Sequence, residues 1–109
     1  MNDPEFDADG YPTTRTLRAI RTWPISQPSD AGVLLAFVQR AWKYPTYFTR
    51  SIRRTREWKG QPLAWTWSVS TGGWSGNESL IAAMERNWMF WMLAWQSSRR
   101  GGHYVFRTP

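Results

Sequence analysis

The chain has 109 residues, a formal net charge of +6 and a pI near 10.5. That length supports one hydrophobic core rather than two, and the absence of cysteine excludes disulfides, thiolate metal sites and cysteine nucleophiles. Aromatics make up 17% of the residues and nine are Trp, enough to organise one core and to leave indoles at the surface for stacking or partner contact.

The positive charge favours anionic partners: phosphates, nucleic acid or an acidic protein face. Asp3, Glu5, Asp7 and Asp9 crowd the start, whereas Arg50, Arg53, Arg54, Arg56, Lys59, Arg99, Arg100 and Arg107 lie from residue 50 onward. Residues 1–12 read as an acidic lead-in without the apolar core of a signal peptide. The longest apolar run, Trp88–Trp95, is too short to cross a bilayer. The expectation is a single-domain cytoplasmic protein, residues 1–109, with no membrane partner and no cofactor.

In chain order, Thr13 or Thr14 can cap a first helix that carries Leu17, Ile20 and Trp23 at helical spacing and stops at Pro24. A Pro/Ser connector follows. Ser29 or Asp30 then caps a second helix with Val33, Leu34, Phe37, Val38 and Ala41 on one face, ending near Lys43, just before Tyr44-Pro45. Residues 44–50 read as an aromatic loop. Ile52–Trp58 and Leu63–Ser70 are β-like and flank the turn Lys59-Gly60-Gln61-Pro62; in the second run Trp65, Trp67 and Val69 alternate with small and polar residues. Ser75-x-x-Glu78 has the form of a capping box for a helix to about Asn87. Trp88–Trp95 reads as a central strand buried on both faces, with Trp88, Trp91 and Trp95 in the core. His103–Arg107 closes the sheet. The predicted fold is α+β: a small, mainly antiparallel sheet containing a β-α-β unit, with two N-terminal helices packed on it.

Chemistry concentrates in two loops. If the strands flanking the third helix are parallel in one sheet, their carboxyl ends share an edge and both loops open there. Gly72, Gly73 and Gly76 allow close approach of backbone amides, and the helix after Trp74, Ser75, Gly76 and Asn77 points its positive dipole end at the same place. Ser97 and Ser98 add hydroxyls. Arg99 and Arg100 add planar forks for phosphate or carboxylate. His103 can contribute a hydrogen bond and Trp74 a stacking face. The plainer alternative is an ordinary strand-to-helix turn beside an ordinary hairpin tip. No Lys-Ser or Lys-Thr follows the last glycine, so this is not a Walker loop. A second candidate surface is the strip Arg50, Arg53, Arg54, Arg56 and Lys59, which suits nucleic acid but equally a charged outer strand. One histidine, no cysteine and no spaced carboxylate pair argue against an enzyme.

The strings Ser-Thr-Gly-Gly-Trp-Ser-Gly-Asn-Glu (residues 70–78) and Ser-Ser-Arg-Arg-Gly-Gly-His-Tyr (residues 97–104) resemble those of small uncharacterised proteins of tailed phages and prophages. Phe90-Trp91, Asp9-Gly10-Tyr11-Pro12 and the first helix share the likeness, which fades across residues 24–62. The resemblance implies a phage origin and no particular activity; such an origin points toward counter-defence or host takeover, including capture of a nucleotide signal. The leading expectation is a non-catalytic protein that binds an anionic, phosphate-bearing ligand between the two loops. The alternatives are a nucleic-acid binder using residues 50–59 and an interaction module for a host protein. Self-association is a further way to cover surplus aromatics, and the number of subunits stays open.

Overall fold

The computed structural model describes residues 2–53 and 64–109. Thr13 caps the first helix, α1 (Thr14–Arg21): its hydroxyl accepts from the Thr16 amide at 3.2 Å, a contact type that typically contributes about 1 kcal/mol. The second helix, α2 (Ser29–Ala41), buries Leu34, Phe37, Val38 and Ala41, while Val33 faces solvent. Asp30 reaches back to the amides of Ser26 and Gln27 at 2.8 and 3.1 Å, fixing the connector that Pro24 and Pro28 begin and end.

Part of the expected aromatic loop is regular structure. A 3-10 turn at Pro45–Tyr47 leads into β1 (Phe48–Arg53), which therefore starts four residues earlier than its β-like texture suggests. Phe48 is the reason: it is buried and packs edge-on against Trp42 and Trp67. Arg54, Arg56, Lys59, the proposed turn and most of the strand expected over Ile52–Trp58 lie outside the described residues.

The remaining strands are β2 (Ala64–Ser70), β3 (Trp95–Arg99) and β4 (His103–Thr108), in the order β1-β2-β4-β3. Every adjacent pair is antiparallel. Because β2 and β3 each run against β4, they are parallel to one another with β4 between them. The expected common edge for their carboxyl ends is therefore present, although the two strands are not neighbours. Trp67, Val69 and Phe106 share one sheet face and join Ile20, Leu34, Phe37, Leu80, Met84 and Phe90 in a single core. The buried Trp67 indole donates to Thr108 Oγ1 at 3.0 Å and the Trp42 indole to the Ser70 carbonyl at 3.0 Å, so both rings enter the core with their N–H satisfied.

Two helices connect β2 to β3. Helix α3 (Ser75–Arg86) buries Leu80, Ile81 and Met84 as its spacing predicts. Its N-cap is Trp74, without a side-chain cap; the Ser75 hydroxyl donates to the Tyr11 hydroxyl at 3.1 Å instead of closing a capping box. The apolar run is not a buried central strand. It is helix α4 (Trp88–Ala94) followed by the start of β3, and only Phe90 and Ala94 of the helix are buried. Asn87 decides this locally: its Oδ1 accepts from the Phe90 amide at 3.3 Å, and its Nδ2 donates to the carbonyls of Ile20 and Trp23, each at 3.0 Å. Met, Leu and Ala in the run favour a helix once that cap is set. Trp88 and Trp95, expected in the core, are exposed, and Trp91 is half-buried. No described helix is long and apolar enough to cross a membrane.

Candidate functional site

The pairing of β2 with β4 sets the last residue of one strand, Ser70, opposite the first of the other, His103. Thr71 then follows β2 while Gly102 precedes β4, and the Thr71 amide donates to the Gly102 carbonyl at 3.0 Å. The Gly-rich loop and the Arg-Arg hairpin thus meet, through antiparallel pairing rather than through neighbouring parallel strands. Gly102 has φ +78° and its Cα lies against Thr71 Oγ1, so a side chain there would meet the threonine. That close approach is what the glycine permits.

Residues directly opposite on paired strands project from the same sheet face. Ser70, His103 and Arg99 consequently form one row across β2, β4 and β3, on the face away from the core. Ser70 Oγ and His103 Nδ1 are 2.6 Å apart. Behind this row, Ser68, Val105 and Ser97 make a second, and Thr66 with Arg107 a third. In these two rows Ser68 is exposed, and Val105, Ser97, Thr66 and Arg107 are half-buried. Arg99, Arg100 and His103 are exposed, and neither arginine makes an ion pair or side-chain hydrogen bond among the described residues. Ser98 projects from the other face, where its hydroxyl accepts from the Trp95 indole at 2.8 Å.

The Gly-rich loop divides by role. Gly73 and Ser75 are exposed. Gly76 is buried beneath the Trp74 ring, which leaves no room for a side chain. Asn77 is fully buried: its Oδ1 accepts from the Lys43 amide at 3.0 Å, and its Nδ2 donates to the carbonyls of Lys43 and Thr71 at 2.9 and 3.1 Å. Asn77 therefore ties the end of α2 to the loop and has no spare hydrogen-bonding atom facing solvent.

The structure adds neighbours that spacing did not select. Trp74 packs against Tyr11 with ring centroids 4.9 Å apart and planes tilted by 32°, and Lys43 Nζ lies 4.8 Å over the Trp74 ring and 5.6 Å over Tyr44. Gly72, at φ +64°, faces Tyr44 and Tyr47, whose rings are 3.1–3.3 Å from where a side chain would begin. Tyr44 itself holds φ 66°, the one non-glycine residue with positive φ among those described, a conformation that costs energy and persists where surroundings enforce it. Tyr11, Tyr44 and Tyr47 are exposed. The sequence signals that Tyr11 and Tyr44 occupy turns are the strings Gly10-Tyr11-Pro12 and Tyr44-Pro45.

The loop junction is an open surface. Two hollows lie elsewhere: one of about 360 Å³ between α1 and α3, bordered by Arg18, Arg21 and Arg86, and one of about 590 Å³ beside Arg40, Arg50, Trp65 and Trp67. Arg50 of the basic strip lies 4.1 Å over Trp65 and 5.2 Å over Trp67, on the core-facing side of the sheet; Arg53 ends β1. Chemically, the junction offers unpaired guanidinium groups, a hydroxyl–imidazole pair, and flat rings with an ammonium above them. Ser70 and His103 have the separation of a nucleophile and its base, but no carboxylate among the described residues bonds the imidazole to orient it. Comparison with protein families, with curated proteins and with solved structures finds no match to this chain.

Proposed function

We propose that the chain is a non-catalytic binding protein for an anionic, phosphate-bearing ligand, a nucleotide or nucleotide signal, taken where the Gly-rich loop meets the Arg-Arg hairpin. Arg99 and Arg100 hold the phosphate with Ser70 and His103 beside them, and Trp74, Lys43 and the tyrosine rings receive the attached base. The observation that carries the reading is the row Ser70–His103–Arg99, whose guanidinium makes no bond within the described protein. Guanidinium bonds to phosphate are charge-assisted and frequently bidentate, and an aromatic face accepts any base. The resemblance of residues 70–78 and 97–104 to phage proteins suggests the setting: capture of a host signal in the host cytoplasm, as counter-defence.

Titration calorimetry with inorganic phosphate, a nucleoside monophosphate and a dinucleotide tests this. The double variant Arg99→Ala/Arg100→Ala is expected to lose at least about a hundredfold in affinity, since bonds to charged groups contribute about 1.5–3 kcal/mol each. Its melting temperature should hardly move, because exposed charges contribute little to folding. Unchanged nucleotide affinity in the double variant would overturn the proposal. Steeply salt-dependent affinity for any nucleic acid would move the function to the segment 50–59. A stable complex with one host protein, and no small ligand, would mark an interaction module.

A further inference from the structure

Helix α4 presents its apolar side chains outward. Trp88 is 64% exposed, Met89 46%, Met92 71% and Leu93 47%, and Trp95 at the start of β3 is 41% exposed. At roughly 200 Å² per large side chain, these five leave on the order of 500 Å² of apolar surface in water. That is a large patch for a protein of this size, since the largest on a typical monomer is about 300–600 Å² and is often functional. The display is built in. Asn87 pins the helix start to Ile20 and Trp23, Phe90 and Ala94 anchor its inner side, and Trp91 stacks on Trp95.

We propose that this face is covered by a second copy of the chain, related by a two-fold axis passing near α4. Three observations select that occupant. First, the twelve residues Asn87–Ser98 carry no charged side chain in a chain whose net charge is +6. Two identical basic molecules can approach along this stretch without bringing cations together, whereas an acidic partner would find nothing here to pair with. Second, the area is right: two copies would together remove about 1,000 Å² of apolar surface, the lower bound for a specific association. Third, β3 is an edge strand continuous with the patch, and an open edge is self-complementary under two-fold symmetry. The irregular register between Trp95 and Ser97 shortens that edge, so the α4 side chains carry most of the contact. The Ser70–His103–Arg99 row projects from the sheet face opposite to Phe106 and α4, and the dimer stands or falls independently of the ligand proposal.

Sedimentation velocity on the full chain is the test. The mass should rise from 12.8 kDa toward twice that value between about 1 and 200 µM, the range expected for a small apolar interface. Met92→Glu should weaken the dimer at least about thirtyfold by placing like charges at the axis, while Val33→Glu, an exposed apolar site on α2, leaves it unchanged. Circular dichroism confirms that Met92→Glu folds, as its exposure predicts. The chain has no cysteine, so Met92→Cys supplies an independent readout: mild oxidation should cross-link it into covalent dimers. A protein monomeric at about 200 µM, or a dimer insensitive to both Met92 variants, overturns the proposal. So does binding of the monomer to anionic lipid vesicles through Met92 and Leu93, which would make the occupant a lipid surface.

Discussion

Replacing Asn77 with Ala separates two roles for this residue, framework and ligand contact. The side chain is fully buried and its amide makes three bonds, accepting from Lys43 N–H and donating to the carbonyls of Lys43 and Thr71. Alanine leaves those three backbone groups without a partner. At about 1 kcal/mol net for each bond, the loss is about 3 kcal/mol, a large share of the 5–15 kcal/mol typical of a domain. For about a hundred residues that corresponds to a fall in melting temperature of about 12–20 °C. Asn77→Asp keeps the acceptor for Lys43 but aims an oxygen at two carbonyls, so it should fall at least as far. Urea unfolding followed by tryptophan fluorescence should show a lower midpoint with an unchanged slope. An Asn77→Ala protein that melts with the wild type but no longer binds nucleotide would refute this reasoning and make Asn77 a ligand group.

Two further predictions concern the same end of the sheet. Gly102→Ala adds a methyl at φ +78° that meets Thr71 Oγ1, and should cost at least about 2 kcal/mol; combining it with Thr71→Ala should cost less than the two variants added, measured as a double-mutant cycle. Burial, and next the negative charges of Glu85 and Glu78, raise the Tyr104 phenol above its ordinary pKa. Unfolding lets the phenol ionise near its usual value of about 10, so stability is full below that pH and declines as pH rises toward the folded value. Tyr104→Phe should flatten that alkaline decline in pH-dependent melting curves.

Local signals located most of the fold. Thr13 caps α1, Pro24 and Pro45 delimit the helices, and the alternation of Trp65, Trp67 and Val69 identifies the buried face of β2. What local signals left open depends on distant partners. Trp88–Trp95 has no polar residue to set a period, and a continuous apolar run of that length fits a buried strand as well as a helix. The deciding residue is Asn87, whose amide bonds Ile20 and Trp23, more than sixty positions away in sequence. Likewise Ser75 has the form of a cap, but Tyr11 engages its hydroxyl. In the candidate site, Arg99, Arg100, His103 and Trp74 are legible as the residue types that suit a nucleotide. Lys43, Tyr11 and Tyr44 are not, because they join the site only when α2 and the N-terminal segment fold against the Gly-rich loop.

The central claim, that the junction of the two loops captures a phosphate-bearing ligand, is tested most directly by native mass spectrometry of the protein isolated from phage-infected cells. The wild-type chain is compared with Arg99→Ala/Arg100→Ala. The account predicts a small phosphorylated adduct on the wild type and a bare mass for the double variant. A bare mass for both, or the same adduct on both, would contradict it.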